Sequence, residues 1–380
     1  MRYEMRLKCA LLAGLWLMAA AQGRAAPGEM VVAGVGQFKD AASTANQIRA
    51  GVQIYFDAVN AQGGVQGAKL RLVLKDRGPD AIDSVHKTRE VIAEHRPIAL
   101  VGISGTGPLE AIAKANVLGE ASIPLVGART GAVSLHQPVN PWIFHTRASY
   151  AQEVKKICAH LGTVGRRSVA VFHENSAFGA EGLAQAQAEI KALGLRLAGT
   201  AAYEYGTSHV KDAVAVLSRA TPDAVIAVAT SEATAEFYRQ MRAAGSSAFI
   251  IALSVADGAA VVQRIGAKAA HGLGITQVAP DPASKTSLLV HELQDDHRRF
   301  GAPGSVLNID VVEGYIAAHV LVEGLRRAGA NPTPIRLKAA LESLQDYRPG
   351  GFAVSFSPTS HSGSKYVDIA VVGPAGKLLR

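Results

Sequence analysis

Short apolar runs alternate with longer stretches of helical periodicity along most of this 380-residue chain, and that alternation restricts its fold more than any motif does. MVVAGVGQF (30–38) leads into a helical stretch over 42–62, LRLVLKD (70–76) into one over 81–95, and IALVGI (98–103) into one over 107–120; IPLVGA (123–128) follows. These runs are apolar throughout rather than at every second residue. Such strands are buried on both faces, as parallel strands with helices above and below them are. After PWIFHTRASY (141–150) the pattern restarts: SVAVFHE, RLAGTAAYEY, AVIAVAT, AFIIALS and GLGITQVAP are separated by helices over 178–193, 208–220, 232–245 and 256–266. The expectation is an α/β protein of two doubly wound, Rossmann-like parallel-sheet lobes in series.

The tail departs from the alternation. Helices over 284–300, 308–329 and 334–346 lead to GFAVSFSPTSHSGSKYVDIAVVG (351–373), which reads as strands broken by a polar turn. Helices first and strands afterwards predict that the chain returns to complete the first lobe and then the second, so that several crossings join the two. No Pro- or Ser-rich linker separates them, which favours a hinge over a flexible tether.

At the N-terminus, Arg2, Arg6 and Lys8 precede the apolar run Cys9 to Ala21, and Gly23-Arg24-Ala25 places small residues where a signal peptidase reads them. This predicts a secretory leader over 1–25, cut before Ala26; the apolar run is shorter than the ~20 residues a spanning helix needs. Cleavage removes four basic side chains and one acidic one, which lowers the net charge from +8 to +5. The remaining Lys and Arg are scattered among acids, with no basic run or aromatic interleaving, so nucleic-acid binding is not expected. Cys9 opens the apolar stretch rather than following it, against a lipid anchor. Its loss leaves Cys158, in VKKICAHL, as a buried apolar residue without a disulfide partner.

Catalytic motifs are incomplete. GVGQFK (34–39) begins like a dinucleotide fingerprint but has Lys39 where the third glycine belongs, and GISGT (102–106) lacks the last glycine of a nucleophile elbow. In HELQDDH (291–297) the histidines are six residues apart, where a helical zinc pair needs four. With no Walker loop, metal cluster or acid–base carboxylate pair in view, neither an enzyme nor a bound cofactor or metal is expected. Two lobes without catalytic machinery suit a clamp for a ligand. In open α/β sheets ligands bind beyond the carboxyl ends of the strands, where helix N-termini present free amides. SGTGPLEA (104–111) and GARTGA (127–132) follow strands and offer Thr106, Gly107, Arg129, Thr130 and Gly131 there. The other reading of these loops is glycine turns with cap residues.

NAQGGVQGAKLRLVLKD, VGISGTGPLEAIA, IPLVGARTGAVSLHQP, IFHTRASY, VAVFHENSAFGAEGL, FIIALS, ITQVAP, VVEGYIAAHVLVEGL and GGFAVSFSP, in this order, resemble the type I periplasmic binding proteins of the leucine/isoleucine/valine-binding class, the solute receptors of ABC importers. The likeness runs over about 29–375. It implies a first lobe of 26–147 plus about 279–354 and a second of about 148–278 plus about 355–380, joined by a multi-strand hinge. It also implies a periplasmic location, a membrane permease as partner, and a small carboxylate- or amide-bearing ligand. By the same resemblance, Thr106 and the loop of Arg129, Thr130 and Gly131 hold the ligand carboxylate. Phe178 and the loop near Ser254 close over it from the second lobe, unless Phe178 is a core aromatic at a helix start. Arg129 either points inward to a carboxylate or sits at the rim. Where amino-acid receptors place an acid for the ligand ammonium, this chain has Leu253, Ser254 and Val255; either another acid, Asp257, Glu174 or Glu232, reaches the pocket, or the ligand lacks the ammonium. A sensing domain of an amide- or amino-acid-responsive system is the alternative use of the same fold.

Overall fold

The computed structural model describes residues 28–40 and 43–380; the expected leader, its cleavage point and Cys9 lie outside the described residues. The first lobe is built from β1 (Glu29–Gly36), α1 (Thr44–Ala61), β2 (Lys69–Asp76), α2 (Ala81–His95), β3 (Ala99–Val101), α3 (Thr106–Lys114), α4 (Val117–Ala121), β4 (Leu125–Val126), α5 (Val133–His136) and β5 (Ile143–Phe144). Its strands are all parallel, in the order β2-β1-β3-β4-β5. The second lobe repeats the scheme with α6 (Tyr150–Thr163), β6 (Ser168–Asn175), α7 (Ala177–Ala192), β7 (Arg196–Glu204), α8 (Lys211–Arg219), β8 (Ala224–Val228), α9 (Ser231–Ala243), β9 (Phe249–Ala252), α10 (Gly258–Ile265), α11 (Ala267–Ala270) and β10 (Gly274–Gln277). There too the second strand lies outside the first and the later strands add on the other side. Each sheet therefore has a switch point at the carboxyl end of its first strand, β1 or β6, where the winding reverses.

The tail supplies α12 (Leu288–Phe300), α13 (Ile309–Arg327) and α14 (Pro334–Glu342), then β11 (Asp368–Val372) and β12 (Leu378–Leu379). α13 is apolar almost all round and is buried among α1, β4 and α14, so the first lobe's core is closed by a helix that follows β6 to β10 of the second lobe. Its approach to α1 is close: a Cβ on Gly314 would lie 2.1 Å from the Ile48 carbonyl oxygen, and one on Gly51 2.0 Å from that of Val311. β11 then extends the second sheet antiparallel to β10, and β12 pairs antiparallel to β11 at its edge, an edge that the expectation of parallel strands did not include.

Local chemistry sets the element ends. Ser43, Asp80, Ser149, Ser176 and Asp257 each accept an amide hydrogen bond as N-caps, and Ser149 forms a capping box with Gln152. The Gly63-Gly64 pair ends α1 with φ of +99° and +78°, and a Cβ on Gly64 would lie 2.0 Å from the Ala68 carbonyl oxygen, so these glycines make the turn into β2 and nothing else. The helix expected over 107–120 is two, broken at Asn116 in the left-handed region. Over 351–367 the expected strand is reduced to isolated bridges, one joining Ser362 to His145 beside the hinge. No helix among the described residues is long and apolar enough to cross a membrane.

Candidate functional site: the cleft between the switch points

A cavity of about 510 Å³ lies between the two switch points. Gln37, Arg77, Ser104 to Pro108 and Arg129 line it from the first lobe; Tyr150, Glu174 to Phe178, Tyr205, Thr230 and Val255 line it from the second. Almost all of them follow directly on a strand's carboxyl end.

Thr106 opens α3 after Gly105, which stands at φ +100° and has no side chain with which to cap the helix. The first intrahelical bond is that of Leu109 to Gly105 at 3.2 Å, and Pro108 has no N–H, so the amides of Thr106 and Gly107 stand free for an anion at the positive end of the helix. The Thr106 hydroxyl is 2.8 Å from that of Thr130, which accepts the Ala132 amide at 3.2 Å. Either hydroxyl can donate in this pair; when Thr130 donates, the Thr106 proton is left for the cleft.

Arg129 lines the same wall but is ion-paired. Its Nη2 lies 2.6 Å from Asp310 Oδ1, close but without hydrogen-bond alignment, and its Nε lies 3.8 Å from Glu313. Burial alone would lower the Arg129 pKa; Asp310 and Glu313 outweigh it and hold the guanidinium firmly charged. Gly131 stands behind the wall: a Cβ there would lie 2.5 Å from the Tyr150 ring, so the glycine lets that ring reach the cleft. Phe178, at the start of α7, lines the opposite wall with its ring centroid 5.3 Å from that of Tyr150. Ser254 does not line the cleft. Its amide donates to Glu153 at 2.8 Å and its hydroxyl accepts from Arg147. Thr106, Gly107, Arg129 and Phe178 thus meet in one cavity, with Thr130 and Gly131 one layer behind and Ser254 in a separate buried network.

That network is at the hinge. Arg147, on the crossing from β5 to α6, pairs with Glu153 at 3.1 Å and Glu313 at 3.3 Å, and Thr276 donates to Glu153. Burial pushes the Glu313 carboxyl up, against the opposing pull of Arg147 and Arg129. Of the three acids weighed for a ligand ammonium, Asp257 caps α10, Glu232 faces Arg264 on the exposed surface, and Glu174 is buried in the cleft wall. Arg77 escapes the motif reading, although KDRGPD sets it immediately past a strand end, the position the ligand rule singles out.

The family described as periplasmic binding protein matches residues 39–377. Among solved structures, a substrate-binding periplasmic protein from Ralstonia solanacearum is 34% identical over 92% of this chain and 99% of its own, with a TM-score of 0.87. A possible leucine/isoleucine/valine-binding protein from Rhodopirellula baltica is 25% identical over 94% and 98%, with a TM-score of 0.86. A branched chain amino acid ABC transporter protein from Thermus thermophilus with bound valine shares the fold at 17% identity, over 93% and 96%, with a TM-score of 0.83. No sequence among the curated proteins matches.

Proposed function

The chain belongs to the periplasmic binding protein family, solute-binding proteins rather than enzymes, and from that premise we propose that it is an exported receptor that closes on a small ligand and presents it to the permease of an ABC importer. The ligand's carboxylate or amide oxygen is received by the Thr106 hydroxyl and the amides of Thr106 and Gly107, with Thr130 orienting the hydroxyl. Tyr150 and Phe178 cover it from the second lobe. Arg129 shapes the wall through its pair with Asp310, Gly131 admits Tyr150, and Ser254 acts through Arg147 at the hinge. One observation carries this reading: a cavity of about 510 Å³ whose walls come from both lobes, with an uncapped helix N-terminus on one side. Only a ligand that touches both lobes can shift the balance between open and closed forms.

The test is a thermal melt of the purified protein against amino acids, their 2-oxo acids, simple amides and aromatic carboxylates. A ligand present at a hundredfold over its Kd stabilises the protein by about 2.7 kcal/mol. Thr106→Ala is expected to abolish most of that shift while leaving the melt without ligand nearly unchanged; an unaltered ligand shift removes Thr106 from the site.

A further inference from the structure

Two opposite charges face the cleft from different lobes, and neither has a counter-charge among the described residues. Arg77 leaves the end of β2 and is only 8% exposed. Its Nη1 donates to the Gly78 carbonyl at 2.9 Å, its Nε is buried without any partner, and no carboxylate among the described residues comes within 4 Å of it. The Tyr205 phenol, then Asp83 and Asp76, act on it without an ion pair, and the two acids are engaged elsewhere: Asp83 accepts the Gly78 amide, and Asp76 accepts the Phe38 amide at 2.7 Å and faces Lys39. A guanidinium enclosed in this way is poorly solvated and gains from an anion that enters the cleft to pair with it.

Glu174 ends β6 on the other wall and is 4% exposed. It accepts from Ser176 Oγ at 2.7 Å and from the Tyr203 hydroxyl at 2.9 Å, both neutral, and no cation among the described residues comes within 4 Å. Two neutral donors leave a carboxylate with unused lone pairs. The neighbouring charges do not relieve either group: Arg129 is held by Asp310, and Arg147 by Glu153 and Glu313.

We propose that Arg77 and Glu174 are the specificity-determining pair of this cleft, Arg77 binding an anionic group of the ligand beside the α3 N-terminus and Glu174 binding a cationic group across from it. The ligand is then a small zwitterion whose two charges span the lobes. This rests on the receptor reading above and deepens it. The anion docks first on the open first lobe, where Arg77, Thr106 and Gly107 lie together. Its cation then gives the second lobe a reason to close, because Glu174 gains a partner only in the closed form. A ligand with one charge satisfies one wall and leaves the other uncompensated.

The experiment uses the whole protein and its Arg77→Met and Glu174→Gln variants, each first melted without additives to establish that it folds. Wild type is melted against three matched pools, the protein amino acids, the 2-oxo acids of the same side chains and the corresponding amines, and against a fourth pool of sugars and polyols. The expected result is a shift with the amino acids alone, followed by a roughly tenfold or larger loss of affinity for the responsible amino acid in each variant, the range for a charged hydrogen bond. The Glu174→Gln loss is expected to vanish for the deaminated analogue, and the Arg77→Met loss for the decarboxylated one. A purely structural role would weaken all analogues alike and overturns the proposal. A wild-type shift with the 2-oxo acids equal to that with amino acids, or a shift with sugars and polyols only, overturns the charge pair and leaves the receptor reading standing. No shift with any pool overturns both.

Discussion

Arg77 and Arg129 lie in one cleft and are equally buried, yet Asp310 sits 2.6 Å from one and no carboxylate among the described residues pairs with the other. Their neighbours in sequence do not distinguish them, since Asp310 reaches Arg129 from a helix far along the chain. The same holds for His136 and His145, whose rings stack 3.7 Å apart in a buried layer beside the hinge. Burial, assisted by the charge of Arg147, pulls the His136 pKa from its ordinary 6.5 down to about 4, against a raising backbone bond near Thr130. The folded value is the depressed one, so between those two pH values the unfolded chain carries a proton that the folded chain does not. Stability present above about pH 6.5 is therefore lost as the pH falls towards 4, by about 3 kcal/mol for this residue. His136→Gln, which retains a polar contact for Ser362, is expected to flatten that part of the stability–pH curve in urea titrations; a curve parallel to wild type removes His136 as the cause.

At the scale of elements, the helices and strands were legible because each carries its own reason to form. α2 has Asp80 as its cap and a polar outer face, and β8 is five buried apolar residues in a row. What local pattern did not carry was the helix break at Asn116 or the fragmentation of 351–367, both set by how the chain must pass its neighbours. The α1–α13 contact shows the same limit. Gly314 in the middle of a helix should cost about 1 kcal/mol relative to alanine, yet the Ile48 carbonyl leaves no space for a Cβ. Gly314→Ala is expected to destabilise by on the order of 2 kcal/mol in spite of its helix propensity, because separating the two helices outweighs the local gain. Denaturant melts would measure it, and a stabilised variant would show that the helices part freely.

For the whole molecule, the lobes touch through more than the hinge. Glu181 on α7 accepts the amides of Val133 at 3.3 Å and Ser134 at 3.2 Å, at the start of α5 in the first lobe. This contact bridges the two lobes, so any motion that parts them there must break it and it favours the form in which they meet. Glu181→Ala is expected to enlarge the radius of gyration measured by small-angle scattering and to weaken ligand binding severalfold without lowering the melting temperature appreciably; unchanged scattering and affinity would make the contact incidental. The buried network of Arg147, Glu153 and Glu313 joins both lobes and α13 at the pivot. Arg147 in IFHTRASY and Glu313 in VVEGY stand among largely uncharged neighbours, a visible signal, whereas Glu153 in AQEVKK reads as an ordinary helix charge, and the pairing of the three was not visible.

Taken alone, the sequence determined the two doubly wound lobes, the return of the tail and the loops that face the cleft, because apolar runs, caps and turn glycines act through neighbours within a few residues. Only the tertiary structure decided which charges are satisfied: that Arg129 belongs to Asp310, that Glu174 and not Asp257 or Glu232 reaches the cavity, and that Arg77 waits there unpaired. Electrostatic pairing depends on distances of a few ångströms between residues that the chain brings together from far apart, and on the water that burial removes around them.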